Sequence, residues 1–201
     1  MEVMTSSGPA RVELDQPELA RFLLVLTHGA GGGVDSPDLL AARQAALGLR
    51  AAVARVLQPY RVRGSRAPGA AGRQDAAWLE VIESLRRVFP VIPLAQGGRS
   101  NGARVACRTA VAAGAQAVVA LAFPLHPPGH PERSRAAELR EAGTAVLVVN
   151  GERDPFGIPG RTDAARVVVL PGETHALSGH CQEIRQTVES WLRETMVPLP
   201  G

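Results

Sequence analysis

One serine in this chain stands at a junction suited to expose it. In "PVIPLAQGGRSNGARVACRTA", Pro90 to Ala110, an apolar run stops at paired glycines. Ser100 follows at the centre of Gly98-Arg99-Ser100-Asn101-Gly102, and a small-residue helical pattern begins. A Gly-x-Ser-x-Gly pentapeptide between a strand and a helix is the signature of a nucleophile elbow, a strained turn that projects a hydroxyl toward solvent. Gly98 and Gly102 remove the Cβ atoms that would strike the strand and the helix. The helix N-terminus then lies under Ser100, where unpaired N–H groups and the helix dipole favour negative charge. The N–H of Asn101 is the expected oxyanion donor there. Gly97 reads as less constrained, and Arg99 as a surface arginine in preference to a substrate contact. Serine is also a good plain helix cap, so the pentapeptide alone leaves that role open.

A serine nucleophile needs a base and a carboxylate that orients the base. Polar residues just beyond the apolar runs supply them: His28 after "RFLLVLT", Asp154 after "TAVLVVNG" and His175 after "ARVVVLPG". His175 is the histidine beyond a strand in the second half of the chain. His126 and His130 lie in "PLHPPGHP", and His180 opens the last helix. Asp154 precedes a proline and could be a simple turn former; Glu152 and Asp163 are its competitors. The glycines after His28 can aim backbone N–H groups at a developing oxyanion. Cys181 beside His180 lacks further partners at metal-ligand spacing, and no metal or organic cofactor is expected.

These residues need elements to hold them. Phe22 to Leu26 is a continuous apolar run, which suits a strand buried on both faces. "DSPDLLAARQAALGLRAAVARVL" reads as a helix, with Ser36 able to cap and Pro37 at the first helical position. "YRVRG" reads as a weak strand, "SRAPGAAGRQ" as a loop, and "DAAWLEVIESLRRVF" as a helix capped by Asp75. "VIPLAQ" is a strand in which Pro93 is awkward, since a central strand uses every N–H. Ser100 to about Ala113 is helical. "AQAVVALAF", "TAVLVVNG" and "ARVVVLPG" are further strands; "ERSRAAELREAG" and "HCQEIRQTVESWLRETM" are helices, the first ending at Gly143. "ARVEL" could add a leading strand. Strand and helix alternate, which implies right-handed crossovers and a sheet covered on both faces. Ligands in such sheets bind beyond the carboxyl ends of the strands, and the candidate residues gather there.

Composition narrows the function. The 201 residues are 45% hydrophobic but only 3% aromatic, so the core is built from Ala, Val, Leu and Ile. All 22 basic residues are arginine, scattered along a chain of formal charge +3. Without a basic stripe and stacking aromatics, nucleic-acid binding is not expected. No apolar run approaches the length of about 18 residues that spans a bilayer, and the N-terminus has no secretion-signal pattern. Cys107 and Cys181 read as free thiols of a reducing compartment. A soluble, cytoplasmic protein is expected.

The motifs "HGAGGG" (28–33), "GRSNG" (98–102), "GERDPFG" (151–157) and "GETHAL" (172–177) follow one another across residues 21 to 195. Together they resemble a small α/β-hydrolase of the dienelactone-hydrolase-like, serine-esterase kind. The resemblance implies a three-layer α/β fold with a mostly parallel sheet of about six or seven strands. It implies one domain over residues 1–201, with its core at about 21–195. It implies Ser100, His175 and Asp154 as the catalytic triad, and Ala30 as an oxyanion donor with Gly31 the nearest alternative. His28 then supports the glycine loop, and Gly31 and His126 are expected beside the substrate. Dienelactone hydrolases proper use cysteine where Ser100 stands, so their substrate is not implied. "PLHPPGHP" leaves no room for a cap domain, and an open site suits small acyl groups. The expected function is hydrolysis of small esters or thioesters through an acyl-enzyme. The competing reading is a non-catalytic interaction module on the same fold, which has no need of all three side chains.

Overall fold

A computed structural model of the protein describes residues 1–197. Eight strands form one sheet: β1 (Glu2–Thr5), β2 (Gly8–Asp15), β3 (Leu23–Thr27), β4 (Ala52–Leu57), β5 (Leu94–Arg99), β6 (Ala117–Leu121), β7 (Ala145–Gly151) and β8 (Arg166–Leu170). Their order is β1-β2-β4-β3-β5-β6-β7-β8. β1 and β2 form an antiparallel hairpin and β2 runs antiparallel to β4; every other pairing is parallel. Among the described residues six helices accompany the sheet: α1 (Pro37–Gly48), α2 (Pro59–Val62), α3 (Ala71–Val88), α4 (Asn101–Ala113), α5 (Ala136–Arg140) and α6 (Cys181–Met196).

The apolar runs are continuous because each strand feeds two cores. Successive side chains point to opposite faces. Leu23 and Val25, with Ala52, Ala54, Val118, Ala120, Val146 and Val148, pack against α3 and α4. Phe22, Leu24 and Leu26, with Val53, Val119, Leu121, Leu147 and Val149, pack against α1 and α6. This is the three-layer α/β-hydrolase architecture. Trp78 is fully buried on the first side, and its indole N–H donates to Gln96 Oε1 at 2.9 Å. Gln96 in turn donates to the Ala106 carbonyl at 2.6 Å, tying β5 to the helix that follows the serine. The segment from β6 to α5 contains no cap domain. No helix among the described residues is long and apolar enough to cross a membrane.

Several local expectations are corrected. The sheet has eight strands, not six or seven: the polar N-terminus forms β1, and "ARVEL" falls within β2. The helix read over 35–57 stops at Gly48, where Arg50 turns left-handed (φ 61°), and its last third is β4. Alanine-rich strands buried on both faces carry no alternation to betray them. "YRVRG" is not a strand; Pro59 starts the short α2 there. Asp75 does not cap α3, which begins at Ala71; it pairs with Arg108 of α4 at 2.6 Å. Pro93 lies just before β5, where its carbonyl accepts the Leu23 N–H and its missing donor costs nothing. The helix read over 132–143 forms only over Ala136–Arg140, and β8 is a half-exposed edge strand rather than a buried one.

Candidate functional site

Ser100 is placed by steric necessity. It follows β5 with φ 51° and ψ −116°, in the N-cap position of α4, but its side chain makes no cap hydrogen bond. The simple capping role is therefore unfilled. A Cβ at Gly98 would stand 2.6 Å from the Thr27 carbonyl oxygen, and one at Gly102 would meet the same oxygen at 2.6 Å. Both distances are impossible for carbon, so only glycine lets β5 and α4 close on the end of β3. Gly97, read as less constrained, is equally fixed: its Cβ would lie 2.4 Å from the Val119 carbonyl.

The Ser100 hydroxyl lies 2.9 Å from His175 Nε2, and His175 Nδ1 lies 2.8 Å from Asp154 Oδ2. Residues 75 and 21 positions apart in sequence are thus in hydrogen-bonding contact. Asp154 is held at the end of β7. Its Oδ1 accepts the Phe156 N–H at 2.9 Å, and Asn150 Nδ2 approaches Oδ2 at 3.5 Å while bonding the Phe123 and Gly157 carbonyls. The carboxylate side chain is fully buried and the imidazole is partly open to solvent. The Phe156 ring packs on the imidazole with centroids 4.4 Å apart. The two competitors of Asp154 are engaged elsewhere: Glu152 accepts the Gly172 N–H, and Asp163 pairs with Arg140.

The histidine loop is clamped at both ends. Glu173 accepts the Gly179 N–H and pairs with His180 at 2.9 Å, and these contacts hold its carboxyl below the ordinary carboxylate range. A Cβ on Gly151 would meet the Glu173 carbonyl at 2.4 Å, so glycine lets the loop rest on β7. The inner clamp is Arg99, which is not a surface residue. Its Nε donates to the fully buried Asp38 at 2.8 Å, and its Nη2 donates to the His175 carbonyl at 2.6 Å. Arg99 therefore links the serine turn, the first turn of α1 and the histidine loop.

The glycine loop lies against the serine. A Cβ on Gly29 would approach Ser100 Cβ to 3.2 Å. His28 is fully buried, with Nδ1 2.8 Å from the Gly29 carbonyl and Nε2 accepting the Gln58 N–H at 3.0 Å. Burial pushes its pKa down to about 4, so it is neutral and braces the loop. Among the described residues, the N–H groups of Ala30 and Asn101 find no acceptor. Gly31 is left-handed, φ 72°, in the same loop. His126 stands beside the carboxylate loop, where its Nε2 would meet a Cβ on Gly157 at 2.3 Å. It hydrogen-bonds to neither His175 nor Ser100. Cys107 is buried, which pushes its thiol pKa up, and Cys181 is likewise unpaired.

Sequence reasoning missed Arg99, Asp38, Asn150 and Phe156 as parts of this site. Asn150 and Phe156 flank Asp154 within "VNGERDPFG", a signal that was available. Asp38 carries none, because its partner lies 61 positions away.

Comparison with known proteins agrees with the fold. The model of a family described as an alpha/beta hydrolase domain matches residues 20–178. No curated protein matches the sequence. Among solved structures, Est1E of Butyrivibrio proteoclasticus, with ferulic acid bound, superposes with a TM-score of 0.81 at 16% identity, over 98% of this chain and all of that one. XC6422 of Xanthomonas campestris, described as a serine hydrolase without lid, gives 0.79 at 19% identity, over 100% of this chain and 95% of that one. Dienelactone hydrolase of Anabaena variabilis gives 0.76 at 17% identity, over 98% and 96%. At these identities the likeness is one of fold.

Proposed function

The chain belongs to the alpha/beta hydrolase domain family, and from that premise we propose that it is a serine hydrolase of small esters or thioesters. The observation that carries the reading is the unbroken chain of contacts from Ser100 Oγ through the His175 ring to Asp154. In the proposed reaction His175 Nε2 takes the hydroxyl proton as Ser100 Oγ bonds to the substrate carbonyl carbon. The carbonyl oxygen becomes an oxyanion facing the free N–H groups of Ala30 and Asn101. The tetrahedral centre collapses, the carbon–oxygen or carbon–sulfur bond to the leaving group breaks, and His175 returns the proton to the alcohol or thiol. Water, deprotonated by the same imidazole, then attacks the acyl-enzyme and releases the acid and free Ser100. Asp154 keeps Nδ1 protonated and stabilises the imidazolium.

The absence of a cap domain and the partly solvent-open imidazole support small or surface-presented acyl groups. Gly31, in the glycine loop, and His126, against the Asp154 loop, are proposed as substrate neighbours. The rival reading, a binding module, gains nothing from a serine held in this backbone geometry. Labelling with a fluorophosphonate probe tests the reading. The intact protein should take one adduct, at Ser100, and Ser100→Ala should take none. An intact folded protein that takes no adduct, or an Ser100→Ala variant that still does, would overturn it.

A further inference from the structure

A cavity of about 360 Å³ opens between α2 and the start of α3, one side chain away from Asn101. Tyr60, Arg63, Arg73 and Gln74 line it, together with Ser7 and Ser65. Its wall reaches the turn after Ser100 through Gln74 and comes next to the glycine loop through Arg66. Gln74 Oε1 accepts the Asn101 side-chain amide at 2.7 Å. Ser65 and Ala67 flank Arg66, whose Nε would lie 3.3 Å from a Cβ on Gly31.

The cavity is basic without compensation. Arg99, Arg104 and Arg108 are held by carboxylates. Among the described residues Arg61, Arg63, Arg66 and Arg73 form no ion pair with Asp or Glu. Arg61 is committed to the backbone, donating to the Gly32 and Ser65 carbonyls and so shaping the loop. Arg63 spends one N–H on the Ser7 carbonyl. Arg66 and Arg73 make no side-chain hydrogen bond among the described residues. Guanidinium groups match oxyanions in shape as well as charge.

We propose that this cavity receives an anionic end of the substrate, so that the enzyme acts on esters or thioesters whose non-reacting end bears a carboxylate or phosphate. Arg63 and Arg73 hold that end from the cavity wall, and Arg66, beside Gly31 of the glycine loop, adds its charge at the entrance. The inference rests on the serine-hydrolase reading and narrows its substrate class.

Two p-nitrophenyl esters test it, the half-ester of glutaric acid and the ester of valeric acid. They share chain length and leaving group and differ in terminal charge. The wild-type protein should favour the glutarate half-ester in kcat/KM. Replacing both Arg66→Gln and Arg73→Gln should cut the ratio of the two kcat/KM values about tenfold, and added salt should erode it similarly. A ratio that favours neither ester, or that ignores the double substitution, overturns the inference. Competitive inhibition by free glutarate supports a carboxylate, inhibition by inorganic phosphate supports a phosphate, and inhibition by neither overturns both. Fluorophosphonate labelling run beside these assays separates the failures. Labelling at Ser100 without a charge preference sinks the anionic substrate alone, whereas no labelling sinks the hydrolase reading and this inference with it.

Discussion

Removing the Arg99 guanidinium should separate stability from chemistry. In Arg99→Met the apolar stem remains and the charge is lost. The fully buried Asp38 then keeps the Leu39 N–H at 2.9 Å and no cation. A buried carboxylate stripped of its partner costs about 3–5 kcal/mol, a large share of a typical stability of about 5–15 kcal/mol. The second loss is local. The His175 carbonyl gives up a charge-assisted bond at 2.6 Å, worth about 1.5–3 kcal/mol, and the imidazole loop is released from the serine turn. A displacement of about 1 Å between reacting groups costs on the order of 100-fold in rate. Adding Asp38→Asn removes the buried charge without rebuilding the tether. Arg99→Met should therefore lower the urea midpoint sharply, and the double variant should recover most of that loss. Its kcat should stay about 10- to 100-fold down, with KM little changed. Arg99→Lys, which reaches Asp38 but cannot span to the His175 carbonyl at the same time, should be stable and slow. Urea unfolding and ester kinetics on the variants read both effects. A double variant that regains kcat along with stability would show that the tether does not position His175.

Asp154→Asn should keep the fold and lower kcat on the order of 10⁴-fold, because the imidazole loses the carboxylate that fixes its tautomer; ester kinetics with circular dichroism checks this. Gly98→Ala should cost about 3 kcal/mol or more, given a Cβ 2.6 Å from a backbone oxygen, whereas Gly33→Ala, with nothing within 4 Å, should be nearly neutral; chemical denaturation of the pair decides. The depressed pKa of His28 means the unfolded chain binds the proton first. Stability should fall as pH drops from about 6.5 to about 4, by about 3 kcal/mol from this residue. His28→Asn should flatten that part of the melting temperature profile, and an unchanged slope would refute the assignment.

The fold was legible because valine and leucine runs ending in glycine or a polar residue repeat along the chain, and each marked a parallel strand. β4 escaped because "AVARVL" follows an alanine-rich helix without a composition change, and the break rests on a left-handed Arg50 that no residue type announces. Of the candidate site, the convergence of Ser100, Asp154 and His175 was legible, because each polar residue stands just beyond a strand end. The site was illegible where a residue acts through a distant partner. Arg99 looks like any exposed arginine until Asp38 and the His175 carbonyl arrive beside it from either side of the sequence.

The backbone at position 100 is a loaded spring. At φ 51° and ψ −116° a side chain is poorly tolerated, and holding such a residue costs about 1–3 kcal/mol. Alanine at this point would keep the tension and glycine would release it, so Ser100→Gly should melt higher than Ser100→Ala. The protein gives up part of its robustness at the one residue whose hydroxyl meets the imidazole, and a lineage that abandoned this chemistry would gain durability by relaxing there first.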